Sequence, residues 1–160
     1  VKEWLTGTAP LVIHSDPTKY RLATVIGKGQ PIPFVNEMNT FWRFTVTFEC
    51  EPYRRSLLSE INEIKSGVCK LNNPGMENSN PIFLFDSKGG NIVIKINGRD
   101  FILRDTEKGD VLLDCEKKSA TQNGRFIRTS GIWPYAEQGI NQWEFHNIAP
   151  SKMDIRSVWP

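Results

Sequence analysis

The chain has 160 residues, 39% hydrophobic and 24% charged, with 12 Gly, 10 Pro and a formal net charge of +2. That length can bury a sizeable core without disulfide staples, and the composition excludes wholesale disorder. No apolar run approaches the roughly 20 residues that cross a bilayer as a helix.

The charge is spread thinly: residues 1–53 carry five basic and five acidic side chains, and residues 54–160 fifteen and thirteen. Nucleic-acid binding needs a basic stripe that survives such averaging, and none is present. The first residues, Val1-Lys2-Glu3-Trp4-Leu5, lack the charged-then-apolar pattern of a secretory signal. The chain also lacks an initiating Met, which reads as a piece of a longer protein.

Taken in order, Thr6-Gly7 reads as a helix stop, so Val1–Leu5 is expected to be the last turn of a helix. Leu11–His14 is a short strand, Ser15-Asp16-Pro17 a turn, and Tyr20–Ile26 a second strand. Gly27–Pro33, with two Gly and two Pro, is a loop. The strongest strand is Phe41–Cys50, where Trp42, Phe44, Val46, Phe48 and Cys50 alternate with polar residues before Pro52 blocks continuation.

Ser56–Lys65 alone has helical spacing, at Leu57, Leu58, Ile61 and Ile64. It predicts one short helix or an irregular connector, with a domain boundary near residue 54. From Gly67 onward the pattern is sheet, with Asn73-Pro74-Gly75 as a turn cluster. Strands are expected at Val68–Leu71, Pro81–Phe85, Asn91–Ile96, Arg99–Arg104, Val111–Cys115, Lys118–Gln122, Asn141–His146 and Lys152–Trp159. Asn97-Gly98 is the most specific hairpin signal, joined by Glu116-Lys117, Asn123-Gly124 and a turn at Lys108-Gly109-Asp110. About eight to ten strands at this spacing predict an antiparallel sandwich.

Reactive chemistry is scarce. Gly27-Lys28-Gly29-Gln30-Pro31 has no Walker lysine and no helix behind it. Asp110, Asp114 and Glu116 cluster near a turn, but Asp110 follows Gly109 and Glu116 precedes two lysines, so both read as solvated rather than as a pair with split pKa values. His14 and His146 are too few for a relay, and neighbouring residues on extended chain point to opposite faces. Cys50, Cys69 and Cys115 form no CxxC pair and read as buried free thiols of a reducing compartment, with no zinc ligand set.

No catalytic, cofactor-binding or metal-binding residue is assigned, and the expectation is a non-enzymatic β protein that works by its surface. Trp42 and Trp143 are default core fillers. Trp133 and Tyr135, in a loop-like stretch, and Trp143 with Glu144 form a weak candidate platform for a sugar ring or a partner.

Several ordered motifs resemble the distal tail proteins of long-tailed, non-contractile bacteriophages and prophages. These are Trp4-Leu5-Thr6-Gly7, Leu11-Val12-Ile13, Ser15-Asp16-Pro17-Thr18-Lys19-Tyr20 with Ala23-Thr24-Val25, and Phe44–Tyr53. Asn73-Pro74-Gly75, Ile94–Gly98 and Gly109–Lys118 with Asn123-Gly124 continue the series. The resemblance implies residues 1–53 as the C-terminal part of a β-rich ring-forming, tail-tube-binding domain whose first half is absent, and residues 54–160 as a galectin-like β-sandwich.

It further implies a structural virion component at the tail tip, made in the bacterial cytoplasm. Its partners would be copies of itself in a ring of six, the tail-tube protein and the tail-associated lysin or baseplate. The Phe41–Cys50 strand, through Trp42, Phe44, Val46 and Phe48, is the expected subunit contact. The alternative is a domain that recognises cell-wall polysaccharide. Cofactors, nucleic acid and a membrane span are not expected.

Overall fold

The computed structural model describes residues 7–26, 34–37 and 41–160, with backbone alone for 34–37 and 41–44. The expected helix end at Val1–Leu5 and the loop at Gly27–Pro33 lie outside the described residues. Backbone contacts divide the chain into two compact units, Val1–Arg54 and Arg55–Pro160.

In the first unit, β1 (Thr8–Ile13) and β2 (Asp16–Val25) form an antiparallel hairpin whose register shifts between Val12 and Ile13. The turn falls at His14-Ser15, and Asp16 already belongs to the returning strand. β3 (Phe34–Glu37) pairs with β4 (Phe41–Phe44), and β5 (Phe48–Cys50) pairs with the end of β2. The single strand expected over Phe41–Cys50 is therefore two. At Thr45–Thr47 the chain leaves one ladder for another, with the Ile26 N–H donating to the Thr47 carbonyl at 2.9 Å. Each half satisfies its backbone groups with a different partner, which is what ends the strand. Arg21 on β2 donates to the carbonyls of Glu51 and Pro52, at 3.3 and 2.8 Å, tying down the exit from β5.

β6 (Arg54–Ser56) and β7 (Ile61–Ile64) replace the expected helix. Leu58 is 78% exposed and Leu57 and Ile61 are exposed as well, so the apolar residues at helical spacing never form one buried stripe. Ile64 alone enters the core, carried there by β7 pairing with β15 (Ser151–Asp154).

β8 (Gly67–Asn73) precedes a long hairpin: β9 (Ile82–Ile96, 15 residues) and β10 (Arg99–Asp114, 16 residues), joined at Asn97-Gly98. Both turn residues have positive φ, +46° and +81°, the geometry that Asn-Gly favours in a two-residue hairpin. The turn expected at Lys108-Gly109-Asp110 does not form. Those residues pair with Lys88, Ser87 and Asp86, and Gly109 at φ +112° stays within β10. The chain bends elsewhere, at Gly89-Gly90 and at Asp105 (φ +54°), where the β9–β10 register also shifts.

That bend builds a sandwich from one hairpin. The first half of β9 pairs with the second half of β10 and with β15. The second half of β9 pairs with the first half of β10 and with β14 (Gly139–His146), which also pairs β8. Three further strands extend the layers. β11 (Ser119–Gln122) and β12 (Arg125–Phe126) follow β10 at one edge, and β13 (Thr129–Gly131) pairs with Phe101–Leu103. β16 (Val158–Trp159) ends the chain; the Val158 carbonyl accepts the Met76 N–H. The expected final strand thus breaks into β15 and β16.

Strict alternation fills the space between layers. Phe83 and Phe85 point inward while Leu84 and Asp86 point out; Ile92, Ile94 and Ile96 repeat the pattern. Aromatic rings meet across the layers: Phe83 packs edge-on against Trp143 (5.6 Å) and Phe145 (6.0 Å), spacings typical of favourable ring pairs. Buried amides close the ends of the sandwich. Asn141 donates to the carbonyls of Glu137 (2.8 Å) and Gly139 (2.9 Å) and accepts from the Glu137 N–H and the Asn97 amide. A buried polar group so satisfied fixes a loop rather than weakening the core.

Candidate functional site

Trp42 and Phe44 occupy β4 positions opposite Asn36 and Phe34; their side chains lie outside the described structure. Val46 is half-buried between strands, and Phe48 is exposed on β5, opposite Val25. The four residues therefore do not form one continuous strand face. What the first unit does display is exposed apolar surface at Val12, Ile13, Ile26, Phe48 and Tyr53, with Ala23 (5% exposed) its one buried hydrophobic among the described residues. β5 pairs with β2 alone among the described strands, so its other edge is unpaired there. Such edges are sites for adding another chain.

The aromatic platform expected in the second unit comes apart for a geometric reason. Trp143 and Glu144 are successive residues on β14, so their side chains leave opposite faces. Trp143 is 0% exposed and faces the core, stacked on Phe145 at 5.8 Å. It offers no ring to a ligand, and its indole N–H has no partner. Glu144 points out, 2.8 Å from His146 Nε2 and 4.0 Å from Lys95 Nζ, beside a shallow groove of about 400 Å³ with Asn97 and Gln142. Trp133 and Tyr135 are half-buried and engaged in packing. Trp133 rests against Phe101 at 4.7 Å, and Tyr135 lies under the Arg99 guanidinium at 3.9 Å.

The acidic cluster is structural. Asp110 is exposed in β10, opposite Asp86. Asp114 is buried, and one carboxylate oxygen accepts the backbone N–H groups of Glu116 and Lys117, both at 3.1 Å, which forms the β10–β11 turn. Glu116 is not freely solvated: Arg55 grips both its oxygens at 2.7 and 3.0 Å, and Arg156 approaches to 2.7 Å. The Arg55 hydrogen bonds, with help from the Arg156 charge, hold its carboxyl below the usual range against a smaller opposing effect of burial.

The cysteines differ from one another. Burial, then the Asp114 charge, pushes the Cys115 thiol far up, and burial raises Cys69; Cys50 is exposed rather than buried. High pKa values make poor nucleophiles. Among the described residues no group of three or more His, Cys, Asp and Glu is placed to hold a metal ion. No helix among them is long and apolar enough to cross a membrane.

A second concavity, of about 500 Å³, opens where the β10 bend meets β12. Arg104 and Asp105 come from the bend, Arg125 and Phe126 from β12, and Arg128 from the segment after it. Phe126 is 82% exposed. No sequence motif marks these residues, which lie about twenty positions apart; the one local sign is an aromatic and an arginine directly after Asn123-Gly124.

The backbone path decides the fold comparison. Against the crystal structure of the SPP1 Dit protein, the chain superposes with a TM-score of 0.72 over 96% of its own length, at 12% identity. The chain has the Dit fold. The SPP1 protein is described as a paradigm of the hub adsorption apparatus in phages that infect Gram-positive hosts, and this chain spans 65% of its length. The galectin-like antiparallel sandwich expected from the tail-protein resemblance is the fold of the second unit. No protein-family model matches the chain, and no curated protein does.

Proposed function

We propose that this chain is a structural component of a phage or prophage tail tip, a hub that joins the tail tube to the baseplate or host-adsorption apparatus and catalyses nothing. The likeness to SPP1 Dit across nearly the whole chain carries this reading. Fold alone does not fix function, and the first unit adds a physical reason. Its sheet exposes Val12, Ile13, Ile26 and Phe48 and leaves the β5 edge unpaired among the described strands, as expected of a surface completed by another subunit. Repetition around an axis would close those edges into a ring, with a hexamer as the expected count. The tail-tube protein and the tail-associated lysin are the expected partners above and below.

Light scattering on the eluting full chain tests assembly. A mass that is a fixed multiple of 18.3 kDa at working concentration supports the hub. A monomer at every concentration, with no binding to purified tail-tube protein, overturns it.

A second reading, that the sandwich unit contacts cell-wall saccharide, is favoured by the pocket at the β10 bend and its exposed Phe126.

A further inference from the structure

The pocket at the β10 bend holds more unpaired positive charge than its surroundings require. Arg125 and Arg128 are exposed and form no ion pair. Arg104 uses one nitrogen on Ser130 Oγ at 3.2 Å, so most of its donors remain open. Three guanidinium forks around one concavity suit a group with several acceptor oxygens, such as phosphate or carboxylate.

The wall is not purely basic. The Asp105 carboxylate has no partner, and the Glu107 carboxylate accepts only a 3.3 Å bond from the Asn123 amide. Three arginines against two carboxylates leave a net charge of +1, which suits a ligand with one acidic group rather than a polyanion. The carboxylates have a further use. They suit hydroxyl groups, which donate to a carboxylate and accept from an arginine at once. Phe126 adds an uncovered ring at the rim, a surface on which a sugar ring can lie. The volume, about 500 Å³, is that of a small-ligand site.

The backbone that carries the site is held in place. Gln122 is buried and bonded twice to the Glu107 backbone, accepting its N–H at 2.9 Å and donating to its carbonyl at 3.0 Å. Asn123-Gly124, at φ +51° and +75°, makes a tight turn that delivers Arg125 and Phe126. The Arg104 N–H donates to the Arg128 carbonyl at 2.9 Å, fixing those two arginine backbones together. With the backbone fixed in this way, the ordering cost on binding is confined to the exposed side chains.

We propose that this pocket binds a saccharide carrying an acidic substituent, phosphate or carboxylate, with the three arginines on the acidic group and Phe126 under the sugar ring. The proposal rests on the saccharide reading of the sandwich unit and is independent of the hub reading.

Titration of the isotope-labelled full chain, followed by NMR, tests it. The probes are pentamannose phosphate, an aldotetraouronic acid with a single carboxylate, neutral maltopentaose and inorganic phosphate, each at millimolar concentration. At least one acidic oligomer should shift the Arg104, Arg125, Phe126 and Arg128 signals and bind about tenfold more tightly than the neutral oligomer. Comparing the phosphate and uronate arms tells which acid is preferred. Arg125→Ala should weaken that binding about tenfold and Arg125→Lys should not restore it, since the fork is lost. Phe126→Ala should weaken it about fivefold. Both residues are exposed, and an unchanged melting temperature verifies that each variant is folded.

Shifts confined to the groove at Asn97 and Gln142 overturn the site while leaving the saccharide reading standing. Inorganic phosphate binding as tightly as the oligomers overturns the saccharide as ligand. Tighter binding of a poly-glutamate peptide would mean a protein partner and also overturns it. No shift with either acidic oligomer overturns the proposal, and silence from maltopentaose as well removes the saccharide reading with it.

Discussion

In the second unit every long strand has somewhere to put its apolar face. Phe83, Phe85, Ile92, Ile94, Val111 and Leu113 all lie at 0% exposure, in a core with Trp143 at its centre. Among the described residues of the first unit the same kind of alternation buries little: Phe48, Glu49 and Cys50 are all exposed on β5, and Ala23 is the one buried hydrophobic. Binary pattern specifies which residues can share a face. It does not specify whether the covering surface comes from the same chain. The sandwich unit supplies its own second layer by folding one hairpin at Gly89-Gly90 and Asp105, whereas the described strands of the first unit fall into two small ladders, β1-β2-β5 and β3-β4, with little buried apolar surface among the described residues.

If the core of the sandwich is self-sufficient, it should break hardest where packing is densest. Trp143→Ala should cost about 3–5 kcal/mol, by loss of burial and creation of a cavity. Denaturant unfolding measures it, and a cost under about 1 kcal/mol would mean the core can collapse around the gap. Next in size is Gly131→Ala. A Cβ there would collide with the Asp100 carbonyl oxygen, and φ is +103°, so about 2 kcal/mol or more should be lost. The same assay reads both.

The complementary change belongs to the first unit. Phe48→Asp should leave the sandwich's unfolding transition within about 0.5 kcal/mol, as surface substitutions do, while reducing the assembled fraction seen by light scattering. Equal loss of stability in both units would erase the contrast.

Thiol labelling sharpens it further. Native protein should react at Cys50, more slowly at half-buried Cys69, and not at Cys115 until the sandwich unfolds.

The smallest effect is that of Glu116. Its carboxyl is held below its ordinary pKa by Arg55 and Arg156, so its contribution is present above the unfolded carboxylate range and disappears as pH falls through the lowered native value. Because the group is partly solvated, about 0.5 kcal/mol is expected. Glu116→Gln should flatten that part of the acid-unfolding curve.

The sequence made some of this legible and hid the rest for identifiable reasons. Asn97-Gly98 announces its hairpin because few dipeptides accept two positive φ values. Gly109 misleads because the same freedom that suits a turn also lets a long twisted strand continue. Leu57, Leu58, Ile61 and Ile64 imitate a helix because their spacing of one, three and three matches one helical face, and only the pairing of β7 with β15, which no local pattern announces, overrides it. Trp143 and Glu144 looked like partners because adjacency in sequence is easily read as adjacency in space, which extended chain forbids. The pocket escaped because Arg104 and Arg125 meet only through the β10 bend, a feature set by a register shift rather than by a motif.

Hydrogen exchange on the full chain, at concentrations below and above assembly, tests most directly whether the first unit is a surface awaiting a neighbour. The account predicts weakly protected amides in β1, β2 and β5 that gain protection on assembly, with β9, β10 and β14 strongly protected throughout. Strong protection of the first unit in the monomer, unchanged by concentration, would contradict it.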